Sequence, residues 1–180
     1  MQTFAVYVDN KPGVLNRVAS LFRRRAFNIE SLTVGHTETP GISRMTIVVD
    51  TDERGGRLVV ANLYKLIPVR RVDNITDVPT IVRDLALIKV SATGDARTQV
   101  MQLVDVYRAR IVDVSPESLV IEATGTEDKI DSLLEVLRPY GVGEMVRTGR
   151  VEMARGTTTP ARRGARATVV GLDDAGAGSV

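Results

Sequence analysis

The sequence predicts an α+β protein made of two similar βαββαβ units. Short stretches in which every second residue is apolar are typical of half-buried strands, and stretches with apolar residues every three or four positions are typical of helices. The order strand, helix, strand, strand, helix, strand occurs twice along the 180 residues. This order is typical of the ferredoxin-like sandwich, so the chain is expected to form two of them.

The first unit begins with a strand at residues 3–9, in which Phe4, Val6 and Val8 share one face. Helical spacing follows from Val14, and Pro12 suits the first position of that helix because its missing N–H would be unpaired there anyway. The predicted elements of this unit are strand 3–9, helix 12–25, strand 28–35, strand 43–50, helix 54–66 and strand 68–75.

The second unit repeats this order after a linker at residues 77–80. Its predicted elements are strand 85–92, helix 96–107, strand 110–115, strand 118–124, a helix that starts near Glu127 and ends before Pro139, and strand 142–151. The predicted division is therefore a first domain at 1–79, a second at 80–155 and a flexible tail at 156–180. The tail lacks the apolar periodicity that a packed element needs.

Composition excludes several classes of function. The chain has no cysteine and one histidine, His36, which argues against disulfides, thiol chemistry and most zinc sites. No apolar run is long enough to span a membrane and no leader is recognisable, so a cytoplasmic protein is expected. Residues 1–154 contain 20 basic and 20 acidic side chains, so the net charge of +2 comes from residues 155–180. A neutral body argues against a broad nucleic-acid-binding face.

The sequence contains no pattern that predicts catalysis. A nucleophile with its base, a carboxylate pair or a metal cluster would be needed for most reactions. His36 has no second histidine or cysteine to act with, so we interpret it as a surface residue. Neither a Walker A nor a G-x-G-x-x-G sequence occurs. No catalytic or metal site is therefore predicted.

The loop between the first strand and the first helix is a candidate ligand site. It contains Asn10, Pro12 and Gly13, and Gly13 lacks a Cβ, so a ligand could approach the free N–H groups of the helix start. Those groups and the positive end of the helix dipole suit a carboxylate or a phosphate. An ordinary strand-to-helix turn explains the same residues, and the loop alone does not decide between the two.

The βαββαβ order also occurs in RNA-recognition motifs, which stack bases on aromatic residues of their central strands. The predicted strand 43–50 contains no aromatic residue, and the whole chain has seven Phe and Tyr and no Trp. RNA binding is therefore the weaker interpretation.

The stretch Asp9-Asn10-Lys11-Pro12-Gly13-Val14-Leu15 resembles the first loop of ACT domains, which sense small ligands. More specifically, Phe27-Asn28-Ile29-Glu30-Ser31-Leu32 followed by Ser43-Arg44-Met45-Thr46-Ile47 resembles the small, regulatory subunit of acetolactate synthase. The stretches at 83–90 and 111–116 resemble the second domain of that family. The resemblance extends over about residues 3–156 and does not cover the tail.

The resemblance implies a non-catalytic subunit that activates the large catalytic subunit and confers feedback inhibition by valine in branched-chain amino-acid synthesis. Thiamine diphosphate, magnesium and FAD would belong to the large subunit, and this chain would form a homodimer. The residues implied for valine binding are Asn10, Gly13, Val14, Leu15, Asn28 and Ile29, with the last two coming from the other chain of the dimer. The family pattern does not tell valine from leucine or isoleucine as the strongest effector.

Two other interpretations of Asn28 and of the whole chain stay open. Asn28 could be a turn residue, because asparagine tolerates left-handed backbone geometry. The chain could also be a free-standing ACT protein that controls another enzyme or transcription. The absence of a basic recognition helix in the sequence argues against control of transcription.

Overall fold

The computed structural model describes residues 1–156 as two antiparallel sheets, each covered on one face by two helices. This arrangement confirms the predicted α+β fold of two ferredoxin-like sandwiches. The predicted tail lies outside the described residues from position 157 onward. No helix within residues 1–156 is long and apolar enough to cross a membrane.

The first sandwich consists of β1 (Gln2–Asp9), α1 (Val14–Arg24), β2 (Ile29–His36), β3 (Ile42–Val49), α2 (Glu53–Leu63) and β4 (Val69–Asn74). Its strand order is β2-β3-β1-β4, so β2 and β4 are the edges. Alternate residues of β1 and the apolar stripe of α1 form the core, with Phe4, Val6 and Phe22 almost completely buried.

The second sandwich consists of β5 (Thr80–Ser91), α3 (Gly94–Val106), β6 (Arg110–Val114), β7 (Ser118–Gly125), α4 (Glu127–Leu137), β8 (Val142–Arg147) and β9 (Val151–Ala154), with a 3₁₀ turn at Arg138–Tyr140 after α4. Its main sheet has the order β6-β7-β5-β8. A separate core lies between this sheet and its helices, and it includes Ile88, Ile121 and Leu133.

The last strand differs from the prediction. The sequence predicts one strand at 142–151, whereas the structure has β8 and β9 separated by Thr148, Gly149 and Arg150. β8 pairs with residues 86–90 of β5, and β9 pairs with residues 80–83. β5 is therefore longer than the predicted strand 85–92 and begins inside the predicted linker. Its first residues form a two-stranded ribbon with β9.

The start of α1 also differs from the prediction. Pro12 is not the first helical residue, because Gly13 has the left-handed torsion angles φ 80° and ψ −6° and precedes the helix. The N–H of Val14 donates to the carbonyl oxygen of Lys11 at 3.3 Å. Pro12 and Gly13 thus occupy the central positions of a type II turn, in which proline and glycine are favoured in that order. The other predicted boundaries agree with the structure to within about three residues.

Candidate effector site

The turn before α1 leaves backbone donors exposed at the helix start. Gly13 is exposed, and a Cβ built on it would meet no atom within 4 Å. Val14 uses its N–H within the turn, whereas the N–H groups of Gly13 and Leu15 have no acceptor among the described residues. These two amides, at the positive end of the helix dipole, provide the chemistry that an anion needs.

Asn10 lies beside this turn and is held by the β2–β3 hairpin. Its backbone N–H donates to the carbonyl oxygen of Gly41 at 2.8 Å. The Asn10 side-chain nitrogen lies 3.5 Å from Nδ1 of His36, at the end of β2. The side chain is exposed, so it is accessible to a ligand bound at the start of α1.

Asp9 supports the loop and is not directed at a ligand. Its carboxylate accepts hydrogen bonds from Nε of Arg70 at 2.5 Å and from Nη2 at 3.0 Å, which tie the end of β1 to β4. Lys11 lies 3.6 Å from the same carboxylate. The hydrogen bond from Arg70, with the nearby positive charges of Arg70 and Lys11, lowers the pKa of the Asp9 carboxyl despite partial desolvation. The carboxylate therefore stays ionised and fixes the position of Asn10.

The apolar residues predicted for the site differ in accessibility. Val14 is buried in the core of the first sandwich, so its side chain supports the start of α1 from the core side and is not accessible to a ligand. Leu15 is 46% exposed and could contact an aliphatic ligand directly. Ile29 is half-buried against the core.

Asn28 and Ile29 lie at the opposite end of the sheet from Asn10. Asp9 pairs with Ile42 of β3, whereas Ile29 pairs with Val49 of the same strand. Seven residues of β3 separate these two positions, which corresponds to roughly 23 Å along a strand. Asn10 and Asn28 of one chain therefore cannot contact the same amino acid.

The side chain of Asn28 takes no part in the core. It is exposed, and its amide donates to the Glu30 carboxylate, which is also exposed. Its backbone carbonyl accepts from the N–H of Asp50 at 3.3 Å. Asn28 has a negative φ, since Ala26 and Arg108 are the only non-glycine residues with positive φ in the described part of the chain. The left-handed turn role considered for Asn28 is thus not observed.

Sequence reasoning missed two contributors to this site. His36 was interpreted only as a surface residue, yet it lies next to Asn10. Arg70 was not considered, although it holds Asp9. Both contacts join residues at least 26 positions apart, and only the pairing of β3 with β1 and β2 and of β1 with β4 brings them together. No group of three or more His, Cys, Asp or Glu side chains within residues 1–156 could hold a metal ion.

Comparison with known proteins identifies two matching family models. Residues 4–71 match the ACT domain of the acetohydroxyacid synthase small subunit, and residues 83–156 match the small subunit of acetolactate synthase. Together these matches cover most of the chain.

Proteins that are similar to this chain over most of their length are also acetolactate synthase small subunits. The acetolactate synthase small subunit of Mycobacterium bovis is 49% identical over 154 residues, which are 86% of this chain and 92% of the relative. That of Bacillus subtilis is 46% identical over 151 residues, covering 83% and 88% of the two chains. The crystal structure of the Thermotoga maritima acetolactate synthase small subunit superposes with a TM-score of 0.83 at 40% identity, covering 87% of this chain and 98% of that one.

Proposed function

Since the chain belongs to the family of acetolactate synthase small subunits, we propose that it activates the large catalytic subunit of that enzyme and makes it sensitive to feedback inhibition by valine. The chain itself would carry no catalytic group. Thiamine diphosphate, magnesium and FAD would be bound by the large subunit, which performs the reaction in branched-chain amino-acid synthesis.

The proposed valine site combines the start of α1 of one chain with the start of β2 of another. The α-carboxylate would accept hydrogen bonds from the N–H groups of Gly13 and Leu15 and from the side chain of Asn10. Interaction with the helix dipole contributes roughly 0.3 to 2 kcal/mol. The isopropyl group would contact Leu15 and Ile29, and the ammonium group would donate to the side-chain oxygen of Asn28.

The separation of Asn10 and Asn28 carries this proposal. Both belong to the motifs that resemble the family, yet they lie at opposite ends of one sheet. If the β2 strands of two chains pair antiparallel about a twofold axis, the start of one β2 faces the end of the other. Asn28 of the second chain then lies near His36 and Asn10 of the first. A homodimer of this kind forms two complete sites.

The two edges of the first sheet support pairing through β2. At the β4 edge, the Tyr64 hydroxyl accepts from the N–H of Val72 at 3.0 Å and donates to its carbonyl oxygen at 3.3 Å. These backbone groups are the ones that an added strand would use. At the β2 edge, Val34 is 45% exposed, which suits a surface that a second copy covers.

The decisive test is reconstitution of this chain with the large subunit from the same organism. We expect acetolactate formation to rise when the chain is added and to fall again when valine is titrated. Leucine and isoleucine, assayed in parallel, rank the effectors. A large subunit that neither co-purifies with the chain nor changes its rate would contradict the proposal and favour a free-standing ACT protein.

A further inference from the structure

The turn between β8 and β9 lies directly on the strand that the effector proposal depends on. Gly149 has φ +83°, and a Cβ built on it would lie 3.0 Å from Oγ of Ser31 and 3.3 Å from Oγ1 of Thr33. The N–H of Arg150 donates to Oγ of Ser31 at 3.4 Å, and the hydroxyl of Thr33 donates to the carbonyl oxygen of Thr148 at 3.5 Å. The second sandwich thus contacts β2 three residues after Asn28.

The same turn is fixed firmly to the second sandwich. Arg147, just before it, pairs with the buried carboxylate of Asp84 on β5 and contacts Oδ1 of Asp131 on α4 at 2.9 Å. Arg150, at its end, contacts Oε2 of Glu127 at 3.0 Å. Ion pairs with β5 and with the first two turns of α4 therefore hold the turn in place. A displacement of β2 at this point must either move the whole second sandwich or break the contact between β2 and the turn.

A second contact beside the turn joins the two sandwiches. A guanidinium nitrogen of Arg44, on β3, donates to the backbone carbonyl of Glu152 on β9, while another donates to Oγ1 of Thr46 at 2.8 Å. This contact reaches the inner strand β3, whereas the turn reaches the edge strand β2. Of β2 and β3, only β2 lies at an edge of the sheet, so it is the strand whose position a dimer partner and a ligand would influence.

We propose that the turn Thr148–Gly149–Arg150 is the contact through which valine bound at β2 acts on the second sandwich. This inference rests on the proposed function. A ligand that contacts Asn28 favours one position of β2, and an effector shifts an equilibrium only by its differential affinity for the two positions. Gly149 is a positioning residue in this scheme. It does not contact the ligand, but its lack of a side chain allows the turn to pack against Ser31 and Thr33.

The test uses Gly149→Ala in the reconstituted holoenzyme. The added methyl group must displace Ser31 or the turn, and Gly156→Ala is the control, because Gly156 also has positive φ, at +59°, but has nothing within 4 Å of a Cβ. We expect Gly149→Ala to keep activation and to bind valine with a Kd within about threefold of wild type by calorimetry. Its half-inhibitory valine concentration should rise at least tenfold or its maximal inhibition should fall by at least half, whereas Gly156→Ala should behave as wild type.

Two further measurements separate coupling from damage to the fold. Ser31→Ala removes the atom nearest to the new methyl group, so Gly149→Ala/Ser31→Ala should recover part of the inhibition. In hydrogen exchange on the holoenzyme, valine should change protection at residues 148–151 in wild type and not in Gly149→Ala. If Gly149→Ala does not fold, Thr33→Val, which removes the hydrogen bond to Thr148 without adding a heavy atom, should show the same split between binding and inhibition.

The outcomes distinguish this inference from the proposed function. Wild-type holoenzyme that neither binds nor responds to a branched-chain amino acid would overturn the proposed function and this inference with it. If valine inhibits Gly149→Ala as strongly as wild type, or if Gly156→Ala loses inhibition to the same extent as Gly149→Ala, the coupling role of the turn is overturned and the proposed function is not affected.

Discussion

Gly13 determines whether the start of α1 is open to a ligand. Its left-handed φ of 80° closes the turn with Lys11, and the absence of a side chain leaves the neighbouring N–H groups accessible. Any side chain at this position would be strained and would project where we place the ligand carboxylate.

We therefore expect Gly13→Asp to abolish inhibition by valine while activation of the large subunit is largely kept. The new carboxylate would repel the ligand carboxylate and compete for the same N–H groups. Gly94→Asp is the matched control, because Gly94 also has positive φ, at the start of α3, and nothing within 4 Å. Valine titration of each holoenzyme measures the effect, and unchanged inhibition in Gly13→Asp would remove Gly13 from the site.

Asn28 offers a second test at the residue scale. Asn28→Ala should weaken valine binding by about 1.5 to 3 kcal/mol, the range for a hydrogen bond to a charged group. The fold should be unaffected, since the Asn28 side chain bonds only to the exposed Glu30 among the described residues. Calorimetry of the mutant, with the exposed Gln102→Ala as control, gives the answer. Equal affinities for wild type and Asn28→Ala would leave Asn28 a structural residue only.

Asp9 predicts a pH dependence of stability. The Arg70 hydrogen bond lowers the pKa of Asp9 in the folded state, so its stabilising contribution is present above the unfolded-state pKa and is lost as the pH falls through the folded-state pKa. Asp9→Asn should thus unfold at lower urea concentration than wild type at neutral pH, and the difference should shrink in acid. A difference that is constant with pH would show that the Arg70 pair is not its source.

At the scale of elements, local patterns predicted most of the fold. Alternation in β7 and helical spacing in α1 and α4 are visible because one face of each element is buried. The division into β8 and β9 was missed because β5 is long enough to pair with both strands, and that pairing joins residues more than 50 positions apart. The type II turn was missed because proline suits both the first helical position and the second position of such a turn.

For the candidate effector site, too, local sequence patterns predicted individual residues but not the contacts made by strand pairing. Asn10, Gly13 and Asn28 were predicted from motifs that are continuous in sequence, and Asn10 and Gly13 do lie side by side at the start of α1. Their support by His36 and Arg70 depends on strand pairing and could not be read from the sequence. The proposed completion of the site by a second chain depends on a further step of assembly.

The β2 edge gives a prediction for that step. Val34 shares a face of β2 with Leu32, which packs on the core, and Val34 itself remains 45% exposed. Val34→Lys would place a charge at the proposed dimer contact, and we expect it to shift the protein to monomers in size-exclusion chromatography with light scattering. Val112→Lys, at a similarly exposed valine on the β6 edge, is the control. Dissociation by Val112→Lys and not by Val34→Lys would assign the dimer contact to the second sheet.

At the scale of the whole molecule, the two sandwiches have separate cores but share contacts. Each core is formed by residues of its own sheet and helices. The ribbon of β5 and β9 contacts the first sheet, where Arg44 donates to the backbone carbonyl of Glu152. Beside this hydrogen bond, Tyr7 of the first sheet and Val151 and Met153 of β9 line a cleft of about 580 Å³. We propose that residues 1–79 and 80–155 are separable domains whose communication depends on these contacts and on the Gly149 turn.

A chain limited to residues 1–79 tests this division. It keeps Asn10, Gly13, Asn28 and the β2 edge, so we expect it to dimerise and to activate the large subunit in part. It lacks the turn that contacts Ser31 and Thr33, and feedback requires that binding bias a state of the whole assembly, so full inhibition by valine should be lost. Mixing each fragment with the large subunit and titrating valine measures both properties. Activation by residues 80–180 alone would instead place the contact with the large subunit in the second sandwich, and full valine inhibition with residues 1–79 would show that the second sandwich takes no part in feedback.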